Sequence, residues 1–194
     1  MLEINECHLQ LRLDYKKLTC KVVGSSVNGN IIIPKSIKYN DNEYIIIAIG
    51  NNAFKDNKLI KSFNFSEDSE MKSIYMHSFE NSYLESIIIP SKVKKINQFA
   101  FSHCYLLKNV IFQPISQLTL IGEASFYLSS LQNIIIPASV NKISNYAFGN
   151  CRSLKSVEFH PHSKLISIGN MSFSCCSSLE NITIPKSVKM IGEN

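Results

Sequence analysis

Apolar positions along this chain fall on two interleaved beats. The short beat is an apolar-x-apolar triplet of β-branched or aromatic residues at 63–65, 87–89, 110–112, 134–136, 157–159 and 182–184, with an earlier copy at 31–33. Period two places the first and third side chains of each triplet on one face and the middle one on the other, so each triplet predicts a short strand with an inward pair. The long beat is a phenylalanine preceded by a small residue, at Phe54, Phe79, Phe101, Phe126, Phe148 and Phe173, spaced 25, 22, 25, 22 and 25 residues apart. The preceding residue alternates between alanine (Ala53, Ala100, Ala147) and serine (Ser78, Ser125, Ser172). An isoleucine stands five residues before every one of these phenylalanines, at Ile49, Ile74, Ile96, Ile121, Ile143 and Ile168.

A fixed repeat of this kind predicts a solenoid. A three-residue strand cannot bury enough surface alone, so successive copies must stack as rungs around one shared core, each covering the next. Proline directly after the triplet, at Pro34, Pro90, Pro137 and Pro185, has no amide hydrogen for the ladder and turns the chain out of the sheet. The return leg is short after proline and longer in the alternate copies, which explains 22 against 25. The segments between isoleucine and leucine, such as ISNYAFGNCRSL, are expected to hold a turn or two of helix with the phenylalanine inward. Residues 9–13 and 18–23 flank a polar turn and read as a β-hairpin that seals the N-terminal end of the core. The expected division is therefore 1–30 as hairpin cap and 31–194 as repeats, six Ala/Ser-Phe copies with the last incomplete. Because the chain stops at MIGEN, where the next Ala-Phe is due, it is expected either to be a fragment or to meet a partner at its last rung.

The recurring pattern L-x-x-I-x-I-P-x-x-V-x-x-I-x-x-x-A-F-x-x-C-x-x-L resembles the leucine-rich repeat of the BspA-like surface proteins of bacteria and parasitic protists. The resemblance covers residue 31 to the end. It implies a right-handed stack of short parallel strands with helical or turn segments opposite, an α/β solenoid. It also implies a cell-surface protein that adheres to host cells or matrix proteins.

Composition narrows the chemistry. With 45% apolar and 18% charged residues the chain reads as a folded globular protein. Its opening, MLEINECHLQLRLDYKK, does not read as a signal peptide, and no run of eighteen apolar residues predicts a membrane-spanning helix. No phosphate-binding glycine loop or zinc-protease motif appears, so no enzyme and no cofactor is expected. His160 and His162 lack a third ligand at a fixed spacing and read as a solvated loop, so no metal is expected either. Cys104, Cys151 and Cys176 each follow a phenylalanine by three residues. Stacked rungs would point their side chains in parallel, so free thiols are expected. The sequons at Asn64, Asn170 and Asn181 are no more than nineteen asparagines give by chance.

Two surfaces stand out. The middle residues of the triplets form an outward row, Ile32, Asn64, Ile88, Ile111, Ile135, Glu158 and Thr183. Ile88, Ile111 and Ile135 make an apolar stripe within it, rimmed by Asn64, Glu158 and Thr183. Such a stripe reads either as a docking surface for a protein partner or second copy, or as β-branched residues placed where strands favour them. The second surface is a basic edge of loop lysines, Lys92, Lys94, Lys95, Lys142, Lys186 and Lys189, with Lys35 and Lys38. The acidic cluster Glu67, Asp68 and Glu70 is expected apart from it, in a long loop. Net charge is +5, and Arg12 and Arg152 are the only arginines. The edge would meet acidic glycans or acidic membrane surfaces, or simply keep an elongated repeat protein in solution. Scarce arginine and the lack of interleaved aromatics argue against nucleic acid. The function expected is a non-enzymatic protein-binding module, in adhesion as the resemblance implies. The alternative is an intracellular scaffold that docks a regulatory protein.

Overall fold

The computed structural model describes residues 2–4, 9–25 and 29–193. Of the expected cap, residues 1, 5–8 and 26–28, Cys7 among them, lie outside the described residues. Strands β1 (Leu2–Ile4), β2 (Leu9–Asp14) and β3 (Thr19–Ser25) pair antiparallel in that order, β2 and β3 forming the expected hairpin. Strand β4 (Gly29–Ile33) opens one sheet, while β5 (Ser36–Tyr39) and β6 (Asn42–Ile49) form a second hairpin in the other. Asn40 and Asp41 make its two-residue turn with φ of 46° and 57°, the left-handed pair that such tight turns require.

Beyond this entry each coil as far as residue 159 contributes one strand to each of two parallel sheets, and the last two strands extend one sheet alone. The eleven-stranded sheet takes a two-residue strand from every coil: β8 (Ser73–Ile74), β10 (Lys95–Ile96), β12 (Leu120–Ile121), β14 (Lys142–Ile143), β16 (Ser167–Ile168) and β17 (Met190–Ile191). The six-stranded sheet continues from β4 through β7 (Ile60–Phe65), β9 (Ser86–Ile89), β11 (Asn109–Phe112), β13 (Asn133–Ile136) and β15 (Ser156–Phe159). The triplet at 182–184 lies outside that ladder, so Thr183 is not on a sheet strand. Ile182 and Ile184 still pack partly against the core.

Between the sheets runs a column of rings. Phe54, Phe79, Phe101, Phe126, Phe148 and Phe173 stack in order with centroids 5.1–5.3 Å apart and planes within 12° of parallel. All but the last are fully buried. Offset stacking at this separation is favourable, and it nearly matches the spacing of about 4.7–4.9 Å between hydrogen-bonded strands. Ring and backbone are therefore satisfied by one repeat distance.

The expected helical turns are absent, and the backbone shows why. In every coil the residues two before and two after the phenylalanine are left-handed: Asn52, His77, Phe99, Ala124, Tyr146 and Met171 on one side, and Asp56, Asn81, His103, Leu128, Asn150 and Cys175 on the other. A helix needs consecutive right-handed residues, and a left-handed one every fourth position ends it before a second turn. The amides instead bond between coils. Ala124, Phe126 and Leu128 donate to the carbonyls of Asn145, Ala147 and Gly149, at 2.8–3.0 Å. Side-chain-bearing residues in this conformation cost about 1–2 kcal/mol each, offset here by the inter-coil bonds. Coils approach so closely that a methyl group at Gly122 would lie 2.7 Å from the Ile96 carbonyl oxygen of the coil before.

Three residues after the phenylalanine, the cysteines act as staples. Cys104, Cys151 and Cys176 donate to the carbonyls of Phe79, Phe126 and Phe148 in the preceding coil, at 3.0–3.1 Å. Ser82 and Ser129 occupy the same position in the intervening coils and contact the thiols of Cys104 and Cys151. Among the described residues all five cysteines are free thiols. Burial pushes the thiols of Cys20 and Cys151 up to about 12 and those of Cys104 and Cys176 to about 11.

Three outcomes follow from this packing. Phe148→Ala should cost about 3–5 kcal/mol in urea unfolding, as fully buried phenylalanines do. Ala124→Gly should leave stability within about 0.5 kcal/mol, because glycine relieves the left-handed backbone, whereas Ala147→Gly, at a buried site without a positive φ, should lose about 1 kcal/mol. The buried thiols keep their protons in the folded state after the unfolded chain, at the ordinary 9.0, has released them. Their contribution is therefore complete below pH 9 and lost as pH rises toward 12. A Cys104→Ser/Cys151→Ser variant should show a shallower alkaline loss of stability in the same titration.

Candidate functional site

The outward row of the six-stranded sheet stands as the triplet period requires. Ile88, Ile111 and Ile135 are 42%, 56% and 61% exposed on the successive strands β9, β11 and β13. Ile32 is also exposed, separated from them by Asn64, with which it is in register. Glu158 is in register with Ile135 on the last strand, and Thr183 is exposed beyond the ladder. The structure therefore gathers the three isoleucines, with Asn64 and Glu158 at either end.

The sheet that carries them is not uniform. Strands β9 and β11 are in register along their full lengths, as are β13 and β15. Between β7 and β9 pairing is confined to Ser62–Ser86 and Phe63–Ile87, and between β11 and β13 to Asn109–Asn133. Proline explains the alternation. Where a strand is followed by an ordinary residue, that residue's amide bonds the strand end of the coil before: Ser66 to Ile33, Gln113 to Ile89 and His160 to Ile136, at 2.9–3.1 Å. Pro90 and Pro137 hold the equivalent positions for Phe65 and Phe112 and have no hydrogen to give. The 47-residue couplet of the sequence thus becomes pairs of tightly bound strands with looser seams between them.

At the β11–β13 seam a crevice of about 540 Å3 opens, walled by Ile111, Phe112, Ile134, Ile135 and Pro137. Its size falls within the range of ligand-sized clefts. At its lip Ile115 is 93% exposed with φ of 57°, a strained conformation for a β-branched residue. Neither crevice nor lip was readable from the triplets alone. The signal was the proline, whose missing hydrogen affects the neighbouring coil as well as its own.

The lysines do not form one continuous free edge. Lys92 is bonded to Glu70, and Lys35 lies 3.3 Å from Asp68, so the acidic loop is folded against the basic one instead of apart from it. Lys92 bonding and neighbouring Lys35 and Lys72 hold the Glu70 carboxyl below its usual range. Lys95 and Lys142 lie on the eleven-stranded sheet, two rungs apart, and Lys94 and Lys189 flank the same sheet. Lys186 is exposed in the last loop. Among the described residues no group of three or more His, Cys, Asp or Glu side chains is placed to hold a metal. No helix among them is long and apolar enough to cross a membrane.

Comparison with known proteins agrees with this architecture. Over 98% of its length the chain superposes on a leucine-rich repeat protein from Bacteroides ovatus, with a TM-score of 0.78 and 27% identity, covering 55% of that chain. The pneumococcal vaccine antigen PcpA matches with a TM-score of 0.68 and 28% identity over 97% of this chain and 45% of its own. A leucine-rich repeat protein from T. pallidum shares the fold at 19% identity, with a TM-score of 0.72 over 93% of this chain and 92% of that one. The chain spans about half the length of the first two relatives. Among curated proteins none matches. The family described as BspA type leucine rich repeat region, in six copies, matches residues 25–127 and 119–194. With coils, phenylalanine column and sequence match in agreement, the chain belongs to the BspA-type leucine-rich repeat family.

Proposed function

We propose that this chain is a non-enzymatic recognition module that docks a protein on the outer face of its six-stranded sheet. The reading is carried by the adjacent exposure of Ile88, Ile111 and Ile135 on a repeated surface, beside a crevice with no Asp, Glu, Lys or Arg in its lining. Full burial of one such side chain is worth about 1.5–3 kcal/mol, so three of them and Ile115 form an apolar centre of the kind that dominates protein interfaces. Asn64 and Glu158 supply the polar rim, with Thr183 beyond the sheet end. The crevice would accept an apolar side chain of the partner, and Ile115 would exchange solvent for contact. Repeat stacks offer long faces for binding and no preformed catalytic cluster.

The setting proposed is adhesion at a cell surface, with a host or matrix protein, or a second copy of the chain, as the partner. Membership of the BspA-type family and the likeness to a vaccine antigen support it.

The triple variant Ile88→Thr/Ile111→Thr/Ile135→Thr tests the face. Capture of host-matrix proteins, or self-association in sedimentation, should be lost while the melting temperature stays within a few degrees of the parent. Retained binding would exclude this face, and a large fall in melting temperature would make the isoleucines buried structure.

A further inference from the structure

The register of the eleven-stranded sheet assembles a row that no single repeat displays. Arg12 is paired with Lys21, Lys21 with Ala48, Ala48 with Ser73, Ser73 with Lys95, Lys95 with Leu120, Leu120 with Lys142, Lys142 with Ser167 and Ser167 with Met190. The row crosses nine strands over about 38 Å at the usual strand spacing, with a register shift at the Lys21–Ala48 step and Ala48 itself buried. Arg12, Lys95 and Lys142 are exposed on the outer face, and their inward neighbours Ile96 and Ile143 are buried. Four positions of the row are cationic and none is acidic.

The other sheet shows that this is not a general consequence of a basic chain. There the corresponding row, Ser62, Ser86, Asn109, Asn133 and Ser156, is uncharged, and the residues just before it, Lys61, Glu85, Lys108, Gln132 and Lys155, are linked coil to coil by backbone hydrogen bonds with an acid set between lysines. On the eleven-stranded sheet Lys72 and Lys94, bonded to each other's coils, add positive charge beside the row. Among the described residues none of Arg12, Lys21, Lys95 and Lys142 is in an ion pair.

Arg12 and Lys21 are the sharpest point. Like charges directly opposite on paired strands repel, and neither Arg12 nor Lys21 has an acidic partner among the described residues. The Lys21 ammonium lies over the Tyr75 ring at 4.6 Å, and with Arg12 and Asn51 these groups line a recess of about 310 Å3. An anion seated there would remove the repulsion and take hydrogen bonds from guanidinium, ammonium and amide together.

We propose that this row binds a linear acidic polysaccharide, with one anionic group in the Arg12–Lys21 recess and others at Lys95 and Lys142. A single-residue line of cations matches a chain laid along the stack. A membrane would meet cations on protruding loops together with apolar groups to insert. Single-stranded nucleic acid calls for aromatic platforms, and Tyr75, the ring at the row, is already covered by Lys21. This site is independent of the isoleucine face.

The test measures binding of the full chain to heparin and to hyaluronate at physiological salt. Arg12→Gln/Lys21→Gln and Lys95→Gln/Lys142→Gln should each weaken heparin binding by about 25-fold, about fivefold for each cation removed beside an anionic surface. Lys108→Gln/Lys155→Gln, with the same charge loss and coil spacing on the other sheet, should change it less than about twofold. Hyaluronate binding would show that carboxylates suffice, and heparin binding alone would assign the site to sulfate groups. Should a row variant fold poorly, acetylation of the parent protein decides: bound heparin should protect Lys21, Lys95 and Lys142 and leave Lys108 and Lys155 reactive. Equal loss in the control variant, no heparin binding, or tighter binding to poly-uridylate or phosphatidylserine vesicles would overturn the proposal.

Discussion

Stacking of one phenylalanine ring on the next is the constraint from which the rest of this structure follows. A column with rings 5.1–5.3 Å apart can be built only if every coil returns to the same point after one rung, whatever the length of its loops. The left-handed residues on either side of each ring make that return possible. They bend the chain sharply enough to bring the ring inward, and they turn the corner amides toward the next coil. Helix is excluded by the same geometry, so the side opposite the triplet strands becomes a second parallel sheet.

Alternation between coils then separates the two outer faces. Proline ends every second strand of the six-stranded sheet and removes a donor that the preceding coil would use, leaving the couplets joined by loose seams. Apolar side chains gather on that face, around the crevice at one seam. In its repeat region the eleven-stranded sheet has two-residue strands whose outward row carries Lys95 and Lys142 and no acid, and it accumulates charge instead. A single stack thus presents an apolar face and a basic face without any insertion or separate domain.

Much of this was legible in the sequence because the repeat is strict. The phenylalanine column, the inward pairs of the triplets, the exposed isoleucines and the hairpin at residues 9–25 all follow from periods that are plain in the letters. The second sheet was not, because two-residue strands such as Lys95–Ile96 are too short to show a period. The corners were missed because left-handed residues are usually sought at glycine, and here Phe99, Leu128 and Tyr146 hold those positions. The hairpin at β5 and β6 carried a readable signal in Asn40–Asp41, between two runs of strand-forming residues. The pairing of Lys92 with Glu70 and the alignment of Arg12 with Lys95 depend on register, which a one-dimensional reading does not supply.

Hydrogen exchange of the native protein puts the ring column to its most direct test. If the corners are held by the stack, the amides of Phe79, Phe101 and Phe126 exchange only through global unfolding, with the same opening free energy as the strand amides of β9 and β11. Exchange at those three amides orders of magnitude faster than in the strands would mean that the corners open as independent loops, and that the column does not organise the fold.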